Sequence, residues 1–270
     1  MIRFFALAFV LLSPGLKSEL DSLVEAERSF AGLSLLRGTR DAFLANLNDE
    51  SILFRPRAVP GKSWMEKNPP ATSRLMWEPA FADIASSADI GYTTGPWELS
   101  RTPEEPPSAF GHYVTVWKRQ PDGVWKVAVD IGISHSRSPK PAAVEFSRIK
   151  SNIEQSAAEK QIQSARTSLL EAERKFPADA ETHMRRLAED ARLYRNDNFP
   201  VIGANAIRTV LSKSKDRARW NVMDANVAKS GDFGYAYGTV ESRPGEVSNY
   251  LRIWKRQRNG DWKVVLDLVS

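Results

Sequence analysis

The chain has 270 residues with 38 basic and 33 acidic side chains, a formal net charge of +5, three histidines and no cysteine. That length suits two domains of ordinary size, and 42% hydrophobic with 26% charged residues is a globular rather than a disordered composition. Without cysteine there is no disulfide, zinc ribbon or thiol nucleophile. His112, His135 and His183 are too few for a multi-histidine metal site, so neither metal nor cofactor is expected.

The first eighteen residues read MIRFFALAFVLLSPGLKS. Arg3 precedes an apolar run from Phe4 to Leu12, which Ser13, Pro14 and Gly15 break, the layout of a secretory signal peptide. The expectation is export to the periplasm or beyond with cleavage after Ser18; the alternative is a buried N-terminal strand or helix. The run is well short of the roughly 20 apolar residues that span a bilayer, and no later segment is longer, so no integral membrane segment is expected.

Ser22 and Glu25 have the spacing of a capping box, and Leu23, Ala26, Phe30 and Leu33 follow at helical intervals until Gly38. A second short helix is predicted over Asp41 to Leu47, a strand over Ile52 to Arg55 ended by Pro56, and a turn at Gly61. Ser63 to Leu75 is ambiguous, with a short helix the best reading. From there the period becomes two, giving strands at Phe81 to Ala85, Ile90 to Trp97, Tyr113 to Lys118 and Trp125 to Ile133. Helices followed by an antiparallel meander argue an α+β fold.

HSRSPKP, residues 135–141, is a polar link, after which Phe146, Ile149, Ile153, Ala157, Ile162, Ala165, Leu169, Ala172 and Phe176 suggest one long helix ended by Pro177. This helix leads into a repeat. Ser22 to Phe30 (SLVEAERSF) returns as Ser168 to Phe176 (SLLEAERKF), Asp89 to Gly95 as Asp232 to Gly238, and Trp117 to Asp130 as Trp254 to Asp267, with Trp77 matched by Trp220. The order is kept, so the chain is a duplicated domain: residues 1–18 a signal peptide, 19–134 the first copy, 135–167 the link and 168–270 the second copy.

In the last hairpin, Pro121-Asp122-Gly123 and Arg258-Asn259-Gly260 suit a three-residue loop with a left-handed glycine, pairing Gln120 with Val124 and Gln257 with Asp261. An unbroken ladder then puts Trp117 and Trp125 on one face and His112 diagonal to Asp130 on the other. A slip of one residue breaks that relation.

The helices, the short Leu-Phe-Arg and Leu-Tyr-Arg strands and the closing Tyr-x-x-x-Trp-Lys and Gly-x-Trp-Lys-Val-x-x-Asp segments resemble the SnoaL-like, ketosteroid-isomerase-like members of the nuclear-transport-factor-two-like superfamily. The resemblance covers nearly all of residues 22–134 and 168–270. It implies two tandem cones, each a curved antiparallel sheet wrapped over N-terminal helices with a pocket inside, joined by the long helix. Function does not follow, since one cone hosts isomerases, dehydratases, cyclases, binders and association domains. The family's helix-borne oxyanion tyrosine has no counterpart here, as no tyrosine occurs between Glu19 and Glu50 or between Ser168 and Leu193, which argues against steroid isomerisation.

Residues present in both copies most simply serve the fold, those in one copy a special role. The shared Trp77/Trp220, Trp117/Trp254 and Trp125/Trp262 read as core or interface anchors, as do Tyr92/Tyr235 and Tyr113/Tyr250. Asp130 and Asp267 are either pocket acids or salt-bridge partners, and Arg195 is expected to pair with an acid such as Asp190. His112 is matched by Asn249: it is either exposed on an edge strand or a base oriented by Asp130. Trp64 and Trp97 belong to the first copy alone.

The expected function is binding of a small apolar or ring-bearing molecule without turnover, in a pocket of Trp64, Tyr92, Trp97, His112 and Asp130. One alternative is a cofactor-independent isomerase or lyase with His112 and Asp130 as the catalytic pair. The other is a structural module in which the two copies pack as a pseudo-dimer. There is no Gly-rich phosphate loop, no Gly-x-Ser-x-Gly and no His-Glu-x-x-His. Residues 19–134 carry −4, the link +3 and residues 168–270 +4. That asymmetry, with only the short basic cluster Lys213 to Arg219, argues against nucleic acid and for two unlike halves attracting each other or a second copy facing an acidic surface.

Overall fold

Gly38 adopts φ 85°, a left-handed conformation that a Cβ resists, and separates helix α1 (Pro14–Arg37) from α2 (Thr39–Asn46). The computed structural model describes residues 14–138, 158–177, 179–213 and 218–270. The apolar run before Ser13, residues 142–157 of the expected long helix and the middle of the basic cluster therefore lie outside the described residues.

The first half continues as β1 (Leu47–Phe54), β2 (Ala58–Pro60), α3 (Gly61–Lys67), β3 (Arg74–Trp77), β4 (Phe81–Ile84), β5 (Ile90–Ser100), β6 (Ala109–Arg119) and β7 (Trp125–His135). The second half runs α4 (Glu159–Arg174), α5 (Ala180–Arg186), β8 (Leu187–Arg195), β9 (Val201–Ile202), α6 (Ala204–Leu211), β10 (Arg219–Val227), β11 (Phe233–Arg243), β12 (Glu246–Arg256) and β13 (Trp262–Val269). The fold is α+β, with helices and sheet in the same order in both halves.

Each half has its own sheet, in the order β2-β1-β7-β6-β5-β3 with β4 also on β5, and β10-β11-β12-β13-β8-β9. The sheets are mixed rather than wholly antiparallel, because β1 runs parallel to β7 and β8 parallel to β13. Parallel neighbours need a long connection, and here the whole meander lies between them. The expected capping boxes are absent. Helix α1 begins at Pro14 and α4 at Glu159, so Ser22 and Ser168 sit inside helices, where Ser22 Oγ donates to the Glu19 carbonyl at 2.8 Å. The residues upstream of each serine are themselves helix-compatible, so the Ser-x-x-Glu spacing falls within a helix rather than at its start.

Helices and sheet enclose a core in each half: Leu23, Phe30, Phe43, Trp117 and Trp125 in the first, Leu169, Phe176, Trp254 and Trp262 in the second. The outer faces of both sheets share a third cluster, in which Phe54, Tyr92, Val114, Val116 and Ile131 of the first half join Tyr194, Phe233, Tyr235, Leu251 and Leu266 of the second. Around it Ser86 Oγ donates to Asp232 at 2.6 Å, and Asp197 N–H to the Ser134 carbonyl at 2.8 Å. Ser87 and Ser230, equivalent in the repeat, meet each other at 2.9 Å. Among the described residues no helix is long and apolar enough to cross a membrane.

Candidate functional site

The closing hairpin decides which side chains enter the first cone. Its turn is as the residues require: Gly123 has φ 85°, and Gln120 N–H donates to the Val124 carbonyl at 2.8 Å. The ladder then breaks. Trp117 pairs with Val127 but Val116 pairs with Val129, leaving Ala128 as a bulge, so Thr115 faces Asp130 and His112 faces Ile133. One extra residue moves every later side chain of β7 to the opposite face. Asp130 therefore points into the cone, where it accepts from Thr115 Oγ1 at 2.9 Å, and His112 points outward. The expected His112/Asp130 pair does not form.

The cone interior is an open cavity of about 780 Å³, with Phe30, Phe43, Trp64, Trp77, Trp97 and Tyr113 among its walls and Asp130 facing it. Of the five expected pocket residues, Trp64, Trp97 and Asp130 line this cavity. Tyr92 and His112 do not. Tyr92 is fully buried on the outer face, its ring 6.3 Å from that of Phe233, because it pairs with Val116 and points the same way as that residue. His112 is half-buried on a central strand, not exposed on an edge. A carbonyl can only accept, so His135 donates through Nδ1 to the Ser136 carbonyl at 2.7 Å, and its Nε2 accepts from His112 Nδ1 at 2.8 Å. Burial, reinforced by His135, pushes the His112 pKa down to about 4.

Behind the aromatic wall lies an acid that belongs to no recognisable motif. Glu27 of α1 is fully buried and accepts from Trp77 Nε1 at 2.5 Å, Trp117 Nε1 at 3.0 Å and Thr93 Oγ1 at 2.5 Å. Burial raises its pKa to about 7 against the pull of these bonds. The available signal was an acid on the inner stripe, four residues after Leu23 and three before Phe30, and repeated as Glu173. Asp130 is also raised by burial, opposed by Arg55 and by the Thr115 hydrogen bond.

The second cone has the same frame, Glu173, Phe176, Trp220, Tyr250 and Asp267, and differs in kind at the position of Thr115. Where the first has Thr115, it has Arg252, fully buried, with its guanidinium carbon 3.4 Å from the Phe176 ring centre, 3.7 Å from Trp220 and 4.6 Å from Tyr250. Arg252 Nη1 donates to Glu173 at 2.8 Å, and its Nε stands 3.4 Å from Asp267. Arg195 pairs with Asp267 at 3.0 Å rather than with Asp190, because both it and Asp267 turn into the cone. His183 Nε2 stands 2.9 Å from the same carboxylate. Burial alone would raise Asp267, but Arg195, Arg252 and His183 hold it well below the usual carboxylate range.

The second half also closes the rim of the first cavity. Asn249 donates to the Pro56 carbonyl at 2.7 Å, and Arg57 to the Val247 carbonyl at 3.1 Å.

No protein-family model and no curated protein matches the chain. Among solved structures it is similar to a nuclear transport factor 2-like superfamily protein from Salmonella enterica serovar Typhimurium, at 11% identity over 46% of this chain and 95% of that one, with a TM-score of 0.36. It is similar to nuclear transport factor 2 from Cryptosporidium parvum at 13% identity over 40% and 93%, TM-score 0.34. A ketosteroid isomerase-like protein from Erwinia carotovora matches at 15% identity over 41% and 93%, TM-score 0.30. The neighbours of this chain are thus nuclear-transport-factor-2-like and ketosteroid-isomerase-like proteins, each matching about the span of one half.

Proposed function

We propose that the first half is a binding unit for a small ring-bearing molecule, held without turnover, and that the second half is its packing partner in a pseudo-dimer. The observation that carries this reading is the contrast at one repeat position. Thr115 donates to Asp130, which faces an open aromatic cavity of about 780 Å³, a volume within the range of small-molecule sites. Arg252 instead occupies the second interior with a side chain of the protein itself. The pseudo-dimer is supported by the cluster shared between the outer sheet faces and by the contact between the equivalent Ser87 and Ser230. Turnover by a His112/Asp130 couple is not part of the proposal, since the bulge at Ala128 puts the two on opposite faces.

Thr115→Arg tests the reading. In a thermal-shift screen of ring-bearing compounds, and in native mass spectrometry of protein purified from its own host, the wild type is expected to show adducts that the variant loses. No adduct in either, or adducts unaffected by Thr115→Arg, overturns it. We also take the protein as exported, on Arg3 and the apolar run Phe4 to Leu12. A mature chain beginning at Glu19 is the expected result of N-terminal sequencing, and an intact Met1 the contrary one.

A further inference from the structure

The second half names the chemistry of the first half's ligand, given the proposal that the first cone binds one. We propose that the cavity takes an organic cation, a guanidinium or alkylammonium group seated over Phe30, Trp77 and Tyr113 and facing Asp130. In the second half the equivalents of those groups, Phe176, Trp220, Tyr250 and Asp267, surround the guanidinium of Arg252. Aromatic faces carry negative charge density, and three converging on one cation within 3.4 to 4.6 Å make a cation site by construction. The same ring types and the same acid recur in the first half with Thr115 in the place of Arg252, although the Trp77 indole donates to Glu27 where that of Trp220 donates to the Pro177 carbonyl, and Arg55 stands 5.7 Å from the Trp64 ring centre.

The charges agree. The second cone sets Arg195 and Arg252 against Glu173 and Asp267, whereas in the first Arg55 is the arginine that acts on Asp130. Arg55 does not exclude a further cation, because its counterpart Arg195 shares a cone with Arg252. Arg55 donates to its neighbour's carbonyl, Phe54 O, at 2.8 Å. The other arginines on the wall are engaged: Arg40 with the Met65 and Asn68 carbonyls and Asp41, and Arg57 at the rim with Val247. Glu27 has three donors of its own, which leaves Asp130 as the carboxylate to meet the ligand. Among the described residues the Tyr113 hydroxyl, buried on the cavity wall, has no hydrogen-bond partner, while that of Tyr250 donates to Glu173. Burial raises Asp130, whereas the two guanidinium groups and His183 overcome the same burial at Asp267.

Isothermal titration of the full chain with three probes that share one ring tests this: benzylguanidinium, benzyl alcohol and phenylacetate. The cation is expected to bind at least about tenfold tighter than the alcohol. Asp130→Asn should abolish that preference, and Thr115→Arg should abolish binding of the cation. A readout that needs no variant is pH. Affinity for benzylguanidinium should rise with pH as Asp130, beside Arg55, Tyr113 and Thr115, ionises, while that for benzyl alcohol stays level.

Equal or tighter binding of the alcohol or phenylacetate, a flat pH profile for the cation, or no binding of any of the three overturns the cation proposal. In those cases a compound whose binding Thr115→Arg abolishes still upholds the first cone as a binding unit. Its absence from a wide panel removes that reading as well.

Discussion

Lys255 of the second half and Asp83 of the first form a buried ion pair, with Nζ 2.6 Å from Oδ2 and 2.8 Å from Oδ1, and only 9% and 2% of the two residues exposed. Burial pushes the Asp83 carboxyl up and Lys255 pulls it back. Removing one partner leaves a charge stranded between the sheets. Lys255→Met or Asp83→Leu alone should each destabilise the chain by about 3–5 kcal/mol, and the double variant should recover most of the loss. Urea unfolding of the four proteins measures the coupling. Additive losses would mean that the pair does not join the halves.

Glu27 makes stability fall as pH rises. Its pKa is about 7 in the fold, against an ordinary 4.5, so the fold favours the protonated carboxyl. The stabilisation is fully present below about pH 4.5 and is lost as pH passes 7, a change of about 3 kcal/mol. Glu27→Gln fixes the neutral form and should flatten this limb, at the cost of one tryptophan hydrogen bond, about 1–3 kcal/mol at low pH. Denaturation midpoints of both proteins between about pH 5 and pH 8 decide it. Parallel curves would refute a role for Glu27.

His112 acts at the other end of the scale. Its pKa in the fold, about 4, lies below the ordinary 6.5, so its contribution is complete above 6.5 and lost as pH falls through 4. His112→Asn, the residue of the second half, should remove part of the acid sensitivity in that window, buried His183 contributing in the same direction, and leave neutral stability within about 1 kcal/mol. An acid limb unchanged in the variant would place the sensitivity elsewhere.

Periodicity and turn chemistry carry much of this architecture. Gly38, the period-two strands and the Pro121-Asp122-Gly123 loop all lie where simple sterics put them, and the repeat separates the two sheets. A bulge has no such signature. Ala128 and Val265 are ordinary strand residues, yet each stands unpaired in its ladder, and they invert the faces on which Asp130 and Asp267 lie. That inversion is why Asp130 falls on the cavity while His112 does not; Trp64 and Trp97 lie on α3 and β5, which the bulge leaves unchanged. The role of Arg252 was hidden for a different reason: a charged residue in mid-strand reads as solvent-facing, and only tertiary packing brings three rings and two acids around it.

The wall formed by Trp97 depends on two glycines that only the first half has. A Cβ on Gly111 would meet the Ile133 carbonyl at 1.9 Å and the Trp97 ring at 2.5 Å, and one on Gly132 would stand 3.1 Å from the His112 carbonyl and 3.3 Å from Trp97 Nε1. The second half has Ser248 and Val269 at these places and Val240 in place of the tryptophan. The indole lies flat on backbone that side chains would otherwise cover. Gly132→Ala should push the ring into the cavity, cost about 1–3 kcal/mol and weaken binding of ring-bearing probes. Gly111→Ala meets rigid backbone and should cost more. In a Trp97→Val background the Gly132→Ala penalty should largely vanish, since the ring it displaces is gone. Thermal unfolding of the two single variants and the double variant measures that coupling, and an undiminished penalty would show that the new methyl strains the strand rather than the wall.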